Sequence, residues 1–577
     1  MSKLITTYNS NTWETEDVFY SGKWSVPFEN ENKIQKQNIL DYHWSDVSKL
    51  SKDYLYLRKV HKDCLENFTK ILNDYHKLNF SIKSWSLILS PWLMSIITII
   101  FDKYETISFS LKKNKNYKTK VLSYSSKDFI PYNWLDYVQN KTTNDNWHHI
   151  IFSDLITKIF EKDFSVEVID KKFSTSNKIY NFKLSLNDKI KNFLSFNFFL
   201  KKSNVFLDSS HISFYDYLKI IFNSNNKPYW ISAFSESLNL QINPINYDLR
   251  CNLTKNFKLD DLNNFEKYLS QNIFNFIPMS YLENFKSYQE KVTKFKFEGN
   301  TIISRGAHFS NDLYKLWCSY QIEKGKKHYI SFHGGGVPLK DLNFEYEYKI
   351  ANKILIHSKI VKNNQVRLPF LNRIPKINYK KDSKKILLIT KPNLSKFITR
   401  LKLEPEGVGD YEDYENLMLF SNQINDELKR NISARFLHED WQLKKRFTQS
   451  FKKDQLDIKN NYFSSLKKTK IVITSYLSTP FSEALSAGVP SICILRRGQW
   501  VFDEKFKPLI KEMHENNIIF YSPTESADYI NKNYHNIYEW WNSKKIVSCV
   551  ENYKEQAFFN NEKKIEDWIK FIKSEKI

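Results

Sequence analysis

Apolar residues recur in two rhythms along this chain, and the change of rhythm divides it. Tyr54, Leu55, Leu57, Val60, Cys64, Leu65, Phe68, Ile71 and Leu72 recur at steps of three and four, which predicts an amphipathic helix. Trp85–Phe101 then holds 17 residues without a charge, short of the ~20 that span a bilayer. With Ser90 as its cap and Pro91 as its first position, this stretch predicts a buried core helix of about ten residues. Two short apolar runs, Leu4–Thr6 and Val18–Tyr20, precede these helices. Between 105 and 250, mixed runs such as Ser165–Ile169 alternate with Asn- and Lys-rich turns and predict no firm element.

Past residue 300 short apolar runs alternate with helical periods. Thr301–Ser304 and His328–Phe332 read as strands, separated by a helix with Phe309, Leu313, Leu316 and Tyr320 on one face and Gly325 at its end. A further strand, Lys353–His357, leads into a connector with Pro369 and Pro375. The alternation resumes with strands at Ile386–Thr390, Ile432–Leu437, Ile471–Thr474 and Ser491–Leu495, and with helices at Tyr411–Arg430 and Phe481–Ala487. Strands spaced by helices imply parallel sheets with right-handed crossovers. The expected architecture is α/β, two Rossmann-like domains facing a cleft: residues 1–370, with an insert at about 105–250, residues 371–530, and helices in 531–577 crossing back to the first domain. In such sheets ligands bind beyond the carboxyl ends of the strands, so the loops after the strands are the candidate sites.

Composition adjusts this picture in three places. With 577 residues the chain exceeds one core. Its 87 basic against 64 acidic residues give +23, a field that favours anionic partners, although the lysines are spread widely and read mainly as a solvated basic surface. Five cysteines without a CxxC pair suggest neither a disulfide framework nor a zinc site, and fit a reducing cytoplasm. The first residues lack the apolar stretch of a secretory signal.

Glycine is scarce, 11 in all, so Gly334, Gly335 and Gly336 after His333 are informative. They let another group approach the backbone closely, and the imidazole of His333 titrates near neutrality, as an acid/base requires. Capping of the preceding strand is the structural alternative. Arg305 and His308, after the neighbouring strand, are further acceptor-side candidates, with a surface ion pair as the alternative for Arg305. In the second half, Ser475, Ser478 and Thr479 precede Glu483 at a strand-to-helix turn. Hydroxyls and N–H groups there can cradle a phosphate, while a capping box explains the same residues structurally. Thr390, Lys391, Arg435 and His438 follow neighbouring strands and can neutralise a donor phosphate.

H-G-G-G also opens the oxyanion loop of lipase-type hydrolases, but no G-x-S-x-G elbow exists. A P-loop and a G-x-G-x-x-G fingerprint are likewise missing, and no D-x-D pair stands ready to anchor a metal-bound donor.

Glu483–Pro490 resembles the E-x-x-x-x-G-x-P segment of GT-B glycosyltransferase donor domains. Tyr329–Lys340 resembles the strand and H-G-x-P-L-K segment of CDP-glycerol glycerophosphotransferases and polysialyltransferases. Val472–Thr479 resembles their I-T-D-Y-S-S segment with Ser475 in place of Asp, and Ala434–His438 their R-x-x-H-P element with Glu439 in place of Pro. Over nearly its whole length the chain is similar to a family of transferases from O-antigen and surface-carbohydrate loci. The resemblance implies transfer of a sugar or polyol phosphate from a nucleotide-activated donor, CMP- or CDP-linked, to a glycan or lipid-linked glycan. No cofactor, metal or nucleic acid is expected. The implied location is cytoplasmic, with peripheral contact at an acidic membrane. A catalytically silent scaffold binding glycan or partners, and a basic membrane- or RNA-associated protein, are the alternatives.

Overall fold

The computed structural model describes residues 2–575 except 171–185, 195–202, 235–239, 336–337, 341–342, 392–394, 403–405, 437–439, Gln241, Asp261, His333 and Tyr379. All described strands lie in three parallel sheets.

The C-terminal sheet orders its strands Ile432–Arg435, Lys385–Ile389, Thr469–Thr474, Ser491–Ile494 and Ile519–Phe520 from edge to edge. The chain therefore reverses direction between the two central strands, Lys385–Ile389 and Thr469–Thr474. Their loops diverge there and open a crevice at the carboxyl ends. The apolar residues of both central strands are buried, as expected for a sheet covered on both faces.

In the middle sheet Val205–Leu207, Thr301–Ser304, Lys327–Ser331, Lys353–Ile356 and Gln365–Arg367 lie side by side in chain order. The last helix, Lys564–Ser574, returns from the C-terminal half and packs Ile565, Trp568 and Ile572 against Val205, Leu207, Ile303 and Tyr329. Trp568 donates its indole N–H to the Pro369 carbonyl at 2.9 Å. Ile537–Trp541 packs Trp541 among Leu485, Ile546 and Val550 of the C-terminal half, while the end of the helix Lys544–Ala557 also reaches the middle sheet, where Glu555 pairs with Arg367 at 2.6 Å.

A third sheet was not apparent from the residue pattern. Lys3–Ile5, Val18–Tyr20, Tyr117–Leu122 and Phe164–Ile169 form it, and the first two, of three residues each, are too short to reveal a period. Beside it run Val47–His76 and the 32-residue helix Ile82–Lys113.

This second helix begins at Ile82, capped by Ser81, and runs through Pro91, rather than starting there. Proline in a helix interior leaves the carbonyl four residues earlier without its N–H donor. Here that carbonyl belongs to Leu87, and the Tyr346 hydroxyl, which shares its one proton with the His308 carbonyl at 2.9 Å, lies 3.2 Å from it and partly replaces the missing bond. The helix is apolar around its circumference because helices pack on several sides of it, among them Val47–His76, Asp145–Lys158 and Asp312–Glu323. Its most apolar stretch is entirely buried.

Candidate active site

The clearest feature of the site is a contact between the two halves. Gly334 and Gly335, just past the strand Lys327–Ser331, rest on the N-terminus of the helix Thr479–Ser486. The amide of Gly335 donates to Thr479 Oγ1 at 2.7 Å. A Cβ on Gly335 would lie 2.6 Å from both the Ser478 carbonyl carbon and the Thr479 nitrogen, and one on Gly334 would lie 2.7 Å from Thr479 Oγ1. Gly335 thus faces an opposing backbone and Gly334 the Thr479 hydroxyl, a reason that the residue pattern did not reveal. His333, Gly336 and His438 fall outside the described residues.

Ser478 occupies the cap position of this helix, yet its side chain makes no capping hydrogen bond, and Glu483 does not reach back to it. The capping-box reading therefore fails. The helix N-terminus keeps backbone donors and the positive end of its dipole, and Ser478 keeps its hydroxyl. One turn on, the half-buried Glu483 carboxylate has no hydrogen-bond partner among the described residues, and burial raises its pKa to about 7.

Two tyrosines complete this corner without having been recognisable from the residue pattern. Tyr476, on the turn after the strand Thr469–Thr474, is 2% exposed and its hydroxyl has no partner among the described residues. The charges of Lys391, Glu483 and Arg435 act on it. Tyr462 donates its hydroxyl to the Pro480 carbonyl at 2.5 Å, and the guanidinium of Arg435 lies 5.7 Å from its ring centre. Arg435 donates from Nη1 to the Asp457 and Asn460 carbonyls at 3.3 and 2.9 Å. Its Nε and Nη2 bond to no described residue.

Thr390 and Lys391 follow the adjacent central strand. Thr390 is buried, and its amide donates to the Arg435 carbonyl at 3.2 Å. Lys391 Nζ lies 2.8 Å from Asp410 Oδ1. Burial of Asp410 outweighs that cation and lifts its pKa to about 7, and Asp413, beside Arg496 at 2.8 Å, rises to about 6 for the same reason. Ser475 is buried behind Tyr476 in the chain. The structure thus gathers Lys391, Arg435, Ser478, Thr479 and Glu483 at the strand ends of the C-terminal sheet, with the glycine loop against them.

Arg305 and His308 lie elsewhere in the packing. Arg305 is buried, and each guanidinium nitrogen is bonded: Nε to the Ser210 carbonyl, Nη1 to Ser331 Oγ and Nη2 to the His211 carbonyl, at 3.2–3.4 Å. A surface ion pair is therefore not its role. Asp208 Oδ2 accepts from the amides of Arg305, Gly306 and Ala307 at 2.9–3.1 Å, filling with a protein carboxylate the turn where a ligand anion would otherwise fit. His308 is buried with its ring stacked on Tyr346.

For a metal, His43, Asp53 and Glu105 offer ligand atoms within 4.8 Å of one another. Lys49 Nζ lies 2.7 Å from both carboxylates, however, and already supplies their countercharge. A separate small hollow of about 20 Å³ lies between Tyr42, Trp44, Lys402, Glu406, Glu412 and Gln499. None of the sequence-predicted site residues lines it.

Comparison with known proteins gives one family and a set of distant structures. A family model described as LIC12162 family transferase matches residues 2–572. No curated protein matches. Among solved structures, a mutant of S. aureus TarM in complex with Fondaparinux, alpha-GlcNAc-glycerol and UDP is 11% identical over 47% of this chain and 55% of that one, with a TM-score of 0.31. The spinosyn rhamnosyltransferase SpnG, complexed with spinosyn aglycone, is 10% identical over 50% of this chain and 74% of its own, with a TM-score of 0.28.

Proposed function

Because the chain belongs to the LIC12162 family of transferases, we propose that it moves a sugar, or a polyol phosphate, from a cytidylyl-activated donor to a hydroxyl of a surface glycan or its lipid-linked precursor. The observation that carries this reading is the convergence of unpartnered polar groups at the crevice. Glu483, the hydroxyls of Ser478 and Tyr476, and two nitrogens of Arg435 lack protein partners among the described residues at one helix N-terminus. The buried Tyr476 hydroxyl without a partner calls for one, and the partly exposed Ser478, Glu483 and Arg435 add anion donors and a carboxylate acceptor that a ligand can reach.

In this reading the donor phosphate lies against the helix N-terminus and Arg435, which stabilise the negative charge that develops on the leaving group. Glu483 accepts from the ribose hydroxyls. The acceptor oxygen attacks the donor carbon, or phosphorus for a polyol phosphate, as the bond to the leaving phosphate oxygen breaks. His333, next to Gly334 in the chain, takes the proton of the acceptor hydroxyl. The reaction takes place on the cytoplasmic face of the membrane, where activated nucleotide donors are made.

Thermal-shift titration with CMP, CDP, UDP, GDP and dTDP tests the donor. The largest stabilisation is expected from CMP or CDP, ~2.7 kcal/mol at a hundredfold excess over Kd. A larger shift from UDP or GDP overturns the cytidine preference alone. No shift from any of the five overturns the donor site.

A further inference from the structure

At the carboxyl ends of the C-terminal sheet, Lys391 and Asp410 pair a side chain that reaches the crevice with one that does not. Lys391 follows the strand Lys385–Ile389, and its side chain is 13% exposed. Asp410, in the first turn of the helix Val408–Gln423, is 1% exposed. Their contact of 2.8 Å joins an ammonium on a flexible four-carbon stem to a carboxylate fixed in the protein wall.

Among the described residues no second cation pairs with Asp410. Arg496, past the strand Ser491–Ile494, is engaged by Asp413 at 2.8 Å, by Glu412 and by the Gly409 carbonyl at 2.9 Å. Glu406 and Asp413 act on Asp410 as like charges, and Glu406 is itself paired with Lys402 at 2.6 Å. Tyr476, on the turn after Thr469–Thr474, lies in the field of Lys391, and burial keeps its phenol neutral. A move of the Lys391 ammonium to a phosphate therefore leaves the Asp410 carboxylate buried beside two like charges. An unpaired buried carboxylate takes up a proton rather than keep its charge. Burial has already lifted its pKa to about 7 with Lys391 in place, so the uptake falls just above neutral pH.

We propose that Asp410 is the positioning residue of Lys391: it holds the ammonium against the crevice wall, and on donor binding it exchanges that N–H···O contact for a proton from solvent while Lys391 turns to the donor phosphate. The exchange presupposes a donor phosphate in the crevice, as in the function proposed above. Binding then consumes a proton above neutrality and weakens as pH rises from about 7.

Isothermal titration of CDP and of UDP into the full chain at pH 8, in HEPES and in Tris, counts the protons, because the two buffers differ in ionisation enthalpy. At that pH Glu483 and Asp413, at about 7 and about 6, are already ionised, as is the ligand's own phosphate, which titrates near 6. The parent is expected to take up at least about half a proton per nucleotide bound. Asp410→Asn, which matches the protonated carboxyl in size and charge, is expected to abolish the uptake and to bind about tenfold more tightly, the factor lost by a group one pH unit above its pKa. A carboxylate with only a structural role would give no such gain. Lys391→Ala, which leaves Asp410 protonated before the nucleotide arrives, is expected to abolish the uptake too, while weakening binding. Binding by the parent without uptake overturns the proposal alone, as does uptake that survives either substitution, or an Asp410→Asn protein that binds no tighter than the parent. Binding of neither nucleotide overturns the donor site, and the proposal with it.

Discussion

The contact of Gly334 and Gly335 with Thr479 can be dissected by a pair of substitution cycles. A Cβ on Gly334 meets the Thr479 hydroxyl at 2.7 Å, whereas one on Gly335 meets the backbone of Ser478 and Thr479 at 2.6 Å. Ordinary contacts of this kind begin near 3.4 Å, so each substitution forces an overlap of roughly 0.7–0.8 Å, and relief of such overpacking costs about 1–3 kcal/mol. Moving the loop away also breaks the Gly335–Thr479 hydrogen bond of 2.7 Å, a further ~1 kcal/mol. Thr479→Ala removes the obstacle to Gly334→Ala but leaves the backbone obstacle to Gly335→Ala. Urea unfolding followed by tryptophan fluorescence is therefore expected to show Gly334→Ala costing markedly less in the Thr479→Ala background, with a coupling of about 0.5–3 kcal/mol. Gly335→Ala keeps most of its cost there. Additivity within about 0.5 kcal/mol for the Gly334 pair, or a Gly335→Ala protein as stable as the parent, would refute the contact as the reason for the glycines.

Three further outcomes follow from other parts of the structure. The pKa of Glu483 is raised to about 7 from an ordinary 4.5, so the folded state holds a proton that the unfolded state has released, and Glu483 lowers stability as pH rises from about 4.5 to 7. Glu483→Gln is expected to flatten the melting temperature across that window, and an unchanged pH profile contradicts the assignment. Tyr346→Phe leaves the Leu87 and His308 carbonyls without the hydroxyl they share and should destabilise the protein by about 1–3 kcal/mol, so a neutral result would mean that the helix tolerates Pro91 without help. His333→Asn should reduce transfer by ~10²–10⁴-fold while donor binding persists, and near-parental turnover would remove His333 from the chemistry.

The C-terminal half was largely legible because its central strands are continuous apolar runs that end in Thr474 and Thr390, just where the polar loops begin. The N-terminal half was harder to read because distant residues supply its polar partners. Asp208 bonds to the amide of Arg305 from 97 positions away, and nothing near Arg305 in the chain signals that its turn is already filled. Pro91 looked like a helix start because the compensating hydroxyl, on Tyr346, lies in another segment. Tyr462 and Tyr476 were missed because, in a chain with 34 tyrosines, neither residue type nor spacing sets them apart. What distinguishes Tyr476 is a buried hydroxyl without a partner, which only packing reveals.

The central claim is that a nucleotide is held at the uncapped end of Thr479–Ser486. Isothermal titration of the best-stabilising nucleotide into the parent and into a Ser478→Ala, Thr479→Ala double variant tests it most directly. Because Ser478 makes no capping bond, the stability lost through its replacement should fall below the ~1 kcal/mol of a working cap. The expected result is a folded double variant whose affinity is at least about tenfold lower, which is ~1.4 kcal/mol. Unchanged affinity in that folded variant would contradict it.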